Sequence, residues 1–270
     1  MESAKLKNIV LLLLVITNLL LGLLMVIQGV TSSRRQTQTL LDAVALLQDR
    51  GIAVEADALP QTDFPTPMTV ERDSEWERQQ FASLLGDNFT AAQRGLVSYY
   101  KGDLGRAEVL EDGSFTVSFT PGALPVEGQE LSAHALATLR RIGFDAQVTA
   151  SGMDIVSAIQ LLDGSPIFSC AVTLRYENGA LAQLSGTRLV GVPVTDTAQG
   201  EPLSTATLLL RFRTGISDSG DACSAIRSAT QGYVLSATSG TKPSLIPVLR
   251  LETDTGVYRV DALTGAFSRG

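Results

Sequence analysis

Histidine and cysteine are almost missing from this sequence. His134 stands alone, and the only two cysteines in 270 residues are Cys170 and Cys223. Zinc and iron–sulfur centres draw three or four clustered ligands from these residue types, and no C-x-x-C pair occurs, so no metal or other cofactor set is legible. One histidine also leaves little room for Ser–His or Cys–His catalysis, and the S-x-x-K spacing of Ser–Lys enzymes at Ser239–Gly240–Thr241–Lys242 does not place its two side chains on one helical face. Clusters of Lys and Arg interleaved with aromatics are lacking too. With a net charge of −7, the chain would repel a phosphate backbone, which argues against nucleic-acid binding. Residues 1–33 carry only Glu2, Lys5 and Lys7. The acidity therefore belongs to the rest of the chain, which is expected to stand off an anionic membrane surface.

Charge is also missing from one stretch, and there the absence is informative. Ile9 to Ile27 runs 19 residues without a charged side chain. At 1.5 Å per helical residue that spans about 28 Å, close to the hydrocarbon thickness of a bilayer. A cleaved signal peptide is the competing reading. The run exceeds the usual apolar core of such peptides, and no small-x-small site follows it cleanly. The expectation is a cytoplasmic tail over 1–8, a transmembrane helix over 9–30, and a domain outside the cytoplasm. Lys5 and Lys7 before the span nearly balance Arg34 and Arg35 after it, so the orientation rests on the short tail against the large body. Asn18, Gly22, Met25 and Gly29 share one face of the span. A small residue lets a second helix approach and an amide can bond across the contact, although one Asn and one Gly are tolerated in any such helix.

Past the span the periodicity is helical, with Leu40, Leu41, Val44 and Leu47 on a segment stopping at Gly51, a natural residue to end a helix. A short strand over Ile52 to Ala58 is expected next. Residues 60–78, polar and holding three prolines, read as a linker or long loop. A short amphipathic helix then runs from Glu77 through Phe81, Leu84 and Leu85. A second stripe, Leu131, Ala135, Leu139 and Ile142, ends at Gly143. A third helix is capped by Ser204, carries Leu208, Leu209 and Phe212, and is expected to end at Gly215–Ile216.

Between the helices the period falls to two. Phe168, Cys170, Val172, Leu174 and Tyr176 alternate with polar residues before a turn at Glu177–Asn178–Gly179. Asp112–Gly113 turns a hairpin over 105–119, and Asp254–Thr255–Gly256 turns another over 247–262. Helices followed by antiparallel hairpins predict an α+β fold, with helices packed on antiparallel sheets. Gly122, Pro125 and Gly128 mark the expected division into a first subdomain over 31–122 and a second over 123–270.

The remaining motifs read as structural. Asp254–Thr255–Gly256 matches the aspartic-protease triplet, but that chemistry needs two carboxylates sharing a proton, and one copy between alternating strands is a turn. His134 lies off its helix's apolar stripe, as a surface or boundary residue. The acidic run Glu71, Asp73, Glu75 and Glu77 reads as a solvated face. Cys170 falls on the apolar face of its strand, and either a buried thiol or a Cys170–Cys223 disulfide fits.

Two regions carry a resemblance. One is the opening: a few polar residues with Lys5 and Lys7, an apolar span holding Asn18–Leu19–Leu20–Leu21–Gly22, then a helix ending at Gly51–Ile52. The other is the closing rhythm on Pro247, Arg250, Thr253, Gly256, Tyr258, Val260, Ala262, Thr264 and Gly265. Together they resemble the YycI family of Firmicutes and its YycH relatives, and the closing hairpin is similar to that of PepSY domains. The middle follows the family only in element order, and the polar insert at 60–78 and the two cysteines depart from it. The resemblance implies a single-pass membrane protein that is not an enzyme. Its implied partners are a sensor histidine kinase governing cell-wall metabolism and a YycH-like membrane protein. A bitopic scaffold of the cell envelope or division machinery is the alternative.

Overall fold

The computed structural model describes residues 14, 17–20, 37–54, 58–60, 62–236 and 242–270. Among them no helix is long and apolar enough to cross a membrane. The expected span over 9–30 lies outside the described residues except for Leu14 and residues 17–20, which are helical and exposed.

The first complete helix, α1, covers residues 37–48 and buries Ala43, Val44 and Leu47. It ends as its glycine demands. Gly51 takes φ +80°, and the Ile52 N–H turns back to the Leu47 carbonyl, closing two carbonyls that the helix would otherwise leave open. Strand β1 is brief, Ala53–Val54, and pairs parallel with β12 (Ala225–Ser236).

The 60–78 segment is a loop only in its first part, with no helix or strand over 62–67. Met68–Arg72 forms β2, paired with β11 (Gly191–Thr195) and with the start of β13 (Ser244–Thr253). The prolines at 65 and 67 precede it and Val70 is buried, so the strand is short and legible only through its partners. Helix α2, Ser74–Leu85, then starts three residues before Glu77, because the Asp73 side chain accepts from the Trp76 N–H and caps it.

Eight strands make one antiparallel expanse: β3 (Thr90–Arg94), β4 (Val97–Gly102), β5 (Gly105–Leu110), β6 (Ser114–Phe119), β7 (Ala146–Ser151), β8 (Ile155–Leu162), β9 (Ser165–Glu177) and β10 (Ala180–Thr187). They lie in the order β7-β8-β9-β10-β6-β5-β4-β3. Helices α2 and α3 (Leu131–Arg141) cover one face. Phe81, Leu84 and Leu85 from α2, and Ala135 and Leu139 from α3, join Val109, Val117, Val156, Leu174 and Leu184 in one core. That core draws on residues from both sides of the 122–128 segment. The β9–β10 turn holds Asn178 at φ +51° and Gly179 at +75°, the two left-handed positions that a two-residue hairpin matched to strand twist requires.

A second core gathers α1, α4 (Thr205–Ser219) and the strands β12, β13 and β14 (Val257–Asp261), with Phe267 of β15 (Phe267–Arg269) packed against it. Helix α4 runs past the expected stop at Gly215–Ile216 to a left-handed Gly220. Gly215 stays helical because the Phe267 ring lies directly over it and a side chain there would overlap the ring. Where the two cores adjoin along the sheet, Ile167 of β9 pairs with Tyr233 of β12, and a third cluster of Val70, Ile167, Cys170, Leu189, Tyr233 and Leu245 seals the seam. The result is an α+β fold on one large, mostly antiparallel sheet.

Candidate functional site

Of the residues expected to form the membrane-embedded contact face, Asn18 is helical and exposed. Gly22, Met25 and Gly29 lie outside the described residues. Leu14, Leu19 and Leu20 beside Asn18 are between 57% and 69% exposed, an apolar surface that water would not favour on a helix.

Both cysteines are free thiols. Cys170 sits in the seam cluster and Cys223 against the second core, so the alternative of a Cys170–Cys223 bridge gives way to two separate thiols. Burial pushes the Cys170 thiol up to about 12, where almost no nucleophilic thiolate exists at neutral pH. His134 lies at a boundary, its Nδ1 3.1 Å from the Tyr176 hydroxyl. Burial, then Arg141, holds its imidazole below the usual value.

The Asp254–Thr255–Gly256 triplet is a turn between β13 and β14. Its carboxylate accepts from the Ser224 N–H at 3.1 Å, the Ser224 hydroxyl at 2.6 Å and the Ala225 N–H at 3.1 Å. The Ser224 hydroxyl bond, then the backbone donor, lowers its pKa to about 2. A carboxylate so committed pins the start of β12 to the turn, and among the described residues it shares no hydrogen bond with a second carboxylate.

One constellation escaped the sequence reading. The acidic run is not uniformly solvated. Glu71 pairs with Lys242 and Glu75 with Arg78, both at the surface, but the Glu77 side chain is only 1% exposed. Its Oε1 accepts from the Tyr100 hydroxyl at 2.7 Å, and Arg72 Nη2 donates to both oxygens at 3.3 Å. Tyr100 is pushed up to about 12 by burial first and by that bond second. Glu77 stands four residues before Phe81 and seven before Leu84, on the same helical stripe. That spacing is the signal that it points inward.

Arg188 is the other buried charge among the described residues. Its guanidinium lies 5.4 Å from the ring centroids of both Trp76 and Phe81. It donates to the Gln80 side-chain oxygen and, through Nε, to the Leu189 carbonyl at 3.3 Å. Next to it the Leu189 N–H donates to Gln160 Oε1 at 2.8 Å. Burial lowers Arg188 to about 10, so it remains a cation at neutral pH. In sequence it is a lone Arg opening the apolar run Leu189–Val190. Together these groups clamp α2 to β4 and to the β10–β11 link, a polar network of the kind that fixes a unique packing.

No known protein family and no curated protein matches the sequence. Among solved structures, the chain is similar to an uncharacterized protein from Eubacterium rectale at 10% identity, with 77% of this chain and 86% of that one covered and a TM-score of 0.46. It is also similar to the YpeB C-terminal domain of Bacillus megaterium at 12% identity, with 74% and 98% covered and a TM-score of 0.32.

Proposed function

We propose that this protein is a membrane-anchored, non-catalytic regulatory subunit. It is held by an N-terminal span with its α+β body outside the cytoplasm, and it binds and modulates a cell-wall-related sensor histidine kinase together with a YycH-like partner. The observation that carries the reading is the uncharged run Ile9–Ile27 with Asn18 and Gly22 on one face. Such a face suits helix–helix association in lipid, where close packing and an interhelical amide bond replace the hydrophobic effect. The family resemblance at the two ends of the chain supplies the kinase and the YycH-like partner. The closing rhythm from Pro247 to Gly265 falls on the β13–β14 hairpin and the turn after it, where Pro247, Thr253, Tyr258, Val260 and Ala262 are all buried.

The test is co-purification from membranes after mild cross-linking. Asn18→Leu with Gly22→Leu is expected to lower kinase recovery at least fivefold while the protein stays membrane-bound. Unchanged recovery with unchanged signalling would contradict the transmembrane mode. Recovery of division or wall-synthesis proteins without a kinase would replace the regulator by an envelope scaffold.

A further inference from the structure

The helix-free face of the eight-stranded sheet carries an unusual row. In register across five adjacent strands stand Lys101, Arg106, Ser118, Gln183 and Arg175. Their strand neighbours Tyr100, Ala107, Val117, Leu184 and Leu174 point the other way, into the core. Lys101 and Arg106 are directly opposite each other on β4 and β5. Two like charges in that position are unfavourable unless something of opposite sign lies between or beside them. Farther along the sheet, on β13 and β14, the same arrangement is answered from within, because Arg250 stands opposite Arg259 and Glu252 holds Arg250 at 2.5 Å.

At Lys101 and Arg106 no internal answer is present. Neither belongs to any ion pair among the described residues. The nearest turn carboxylate, Asp103, is taken by the Asn88 amide at 3.0 and 3.1 Å. Glu108, two residues from Arg106 on the same face, makes no ion pair with it. The two cations open onto a surface cleft of about 320 Å³ lined by Lys101, Gly102, Gly105, Arg106, Ser118 and Thr120, among others. The two glycines beside these cations serve close backbone packing. A Cβ on Gly102 would overlap the Leu85 carbonyl, and one on Gly105 would overlap that of Ser118.

We propose that this cleft is an oxyanion site, which binds a phosphate-class dianion between the Lys101 ammonium and the Arg106 guanidinium with Ser118 as a further donor. A guanidinium presents a planar fork to such an oxyanion and an ammonium adds a point charge, so the pair suits a phosphate better than a single carboxylate. The body's overall negative charge does not forbid this, because at physiological salt charges more than about 8 Å away are largely screened. Arg175 lies three strands from Arg106, about 14 Å at the usual spacing. It is therefore outside the site while sharing its row.

The experiment is calorimetric titration of the purified full-length chain with inorganic pyrophosphate. Saturable one-to-one binding is expected. The double variant Lys101→Ala, Arg106→Ala should weaken it at least tenfold, and Arg175→Ala should change it less than twofold. A further titration in the presence of phosphatidylcholine vesicles, with or without phosphatidic acid, locates the source. Competition by the phosphatidic-acid vesicles alone supports the site with a lipid headgroup as its phosphate, and no competition supports it with a soluble compound. Non-saturable binding, or equal weakening by Arg175→Ala and the double variant, would overturn the proposal by reducing the effect to general charge attraction.

Discussion

Glu77 and His134 show how single residues couple chemistry to stability. Breaking a buried ion pair by removing one partner is far more costly than losing a surface pair, because the remaining polar groups stay desolvated. Glu77→Ala strands the Tyr100 hydroxyl and frees Arg72, and is expected to cost about 3 kcal/mol in urea unfolding. Glu77→Gln, which still offers an oxygen to Tyr100, is expected to cost less. The surface pair Lys242–Glu71 should contribute nothing measurable by the same assay. His134 works through protons. Its folded-state pKa lies below the usual 6.5, so the unfolded chain takes up the proton first as pH falls. Its contribution is complete above 6.5 and is lost as pH drops from 6.5 through the lower folded value. Thermal melts are expected to fall more steeply between pH 6.5 and 5 for the native chain than for His134→Gln, which can bond Tyr176 but cannot titrate.

At the scale of elements, Gly215 sets two effects against each other. Alanine inside a helix is favoured over glycine by about 1 kcal/mol. Overpacking a filled core typically costs about 1–3 kcal/mol. Because the Phe267 ring already occupies the space over Gly215 and stacks on Tyr258 at 5.4 Å, overpacking wins. Gly215→Ala is expected to destabilise by about 1 kcal/mol and to raise hydrogen exchange in β15, with Phe267→Leu in the same chain restoring part of both. The same contact explains why a helix that reads as ending at Gly215 runs on to Gly220. The true stop has its own local signal, the left-handed Gly220, but a glycine kept small for a distant ring five residues earlier reads the same way. Elsewhere local chemistry was enough. Asp112–Gly113, Asn178–Gly179 and Asp254–Gly256 mark hairpins wherever alternation flanks them, and Ser204 and Gly51 mark helix ends. β3 could not be read that way, since all five of its residues are exposed and alternate with nothing. β2 hid behind two prolines because only its pairing with β11 and β13 makes it a strand. Glu77 was legible in its i, i+4, i+7 spacing to Phe81 and Leu84, but the surrounding acidic run masked it.

For the whole molecule, the sheet is one body with two cores and a sealed seam, and its charge is negative. Among the described residues the two buried charges, Glu77 and Arg188, and the turn carboxylate of Asp254 each bond across elements. The proposed function depends on placement, with the N-terminal run in the bilayer and the acidic body on the far side, within reach of other membrane proteins. The most direct measurement is limited proteolysis of intact protoplasts carrying an N-terminally tagged chain. External protease is expected to digest the body and leave a short tagged fragment protected with the membrane. A body that survives intact until the cells are lysed would contradict it.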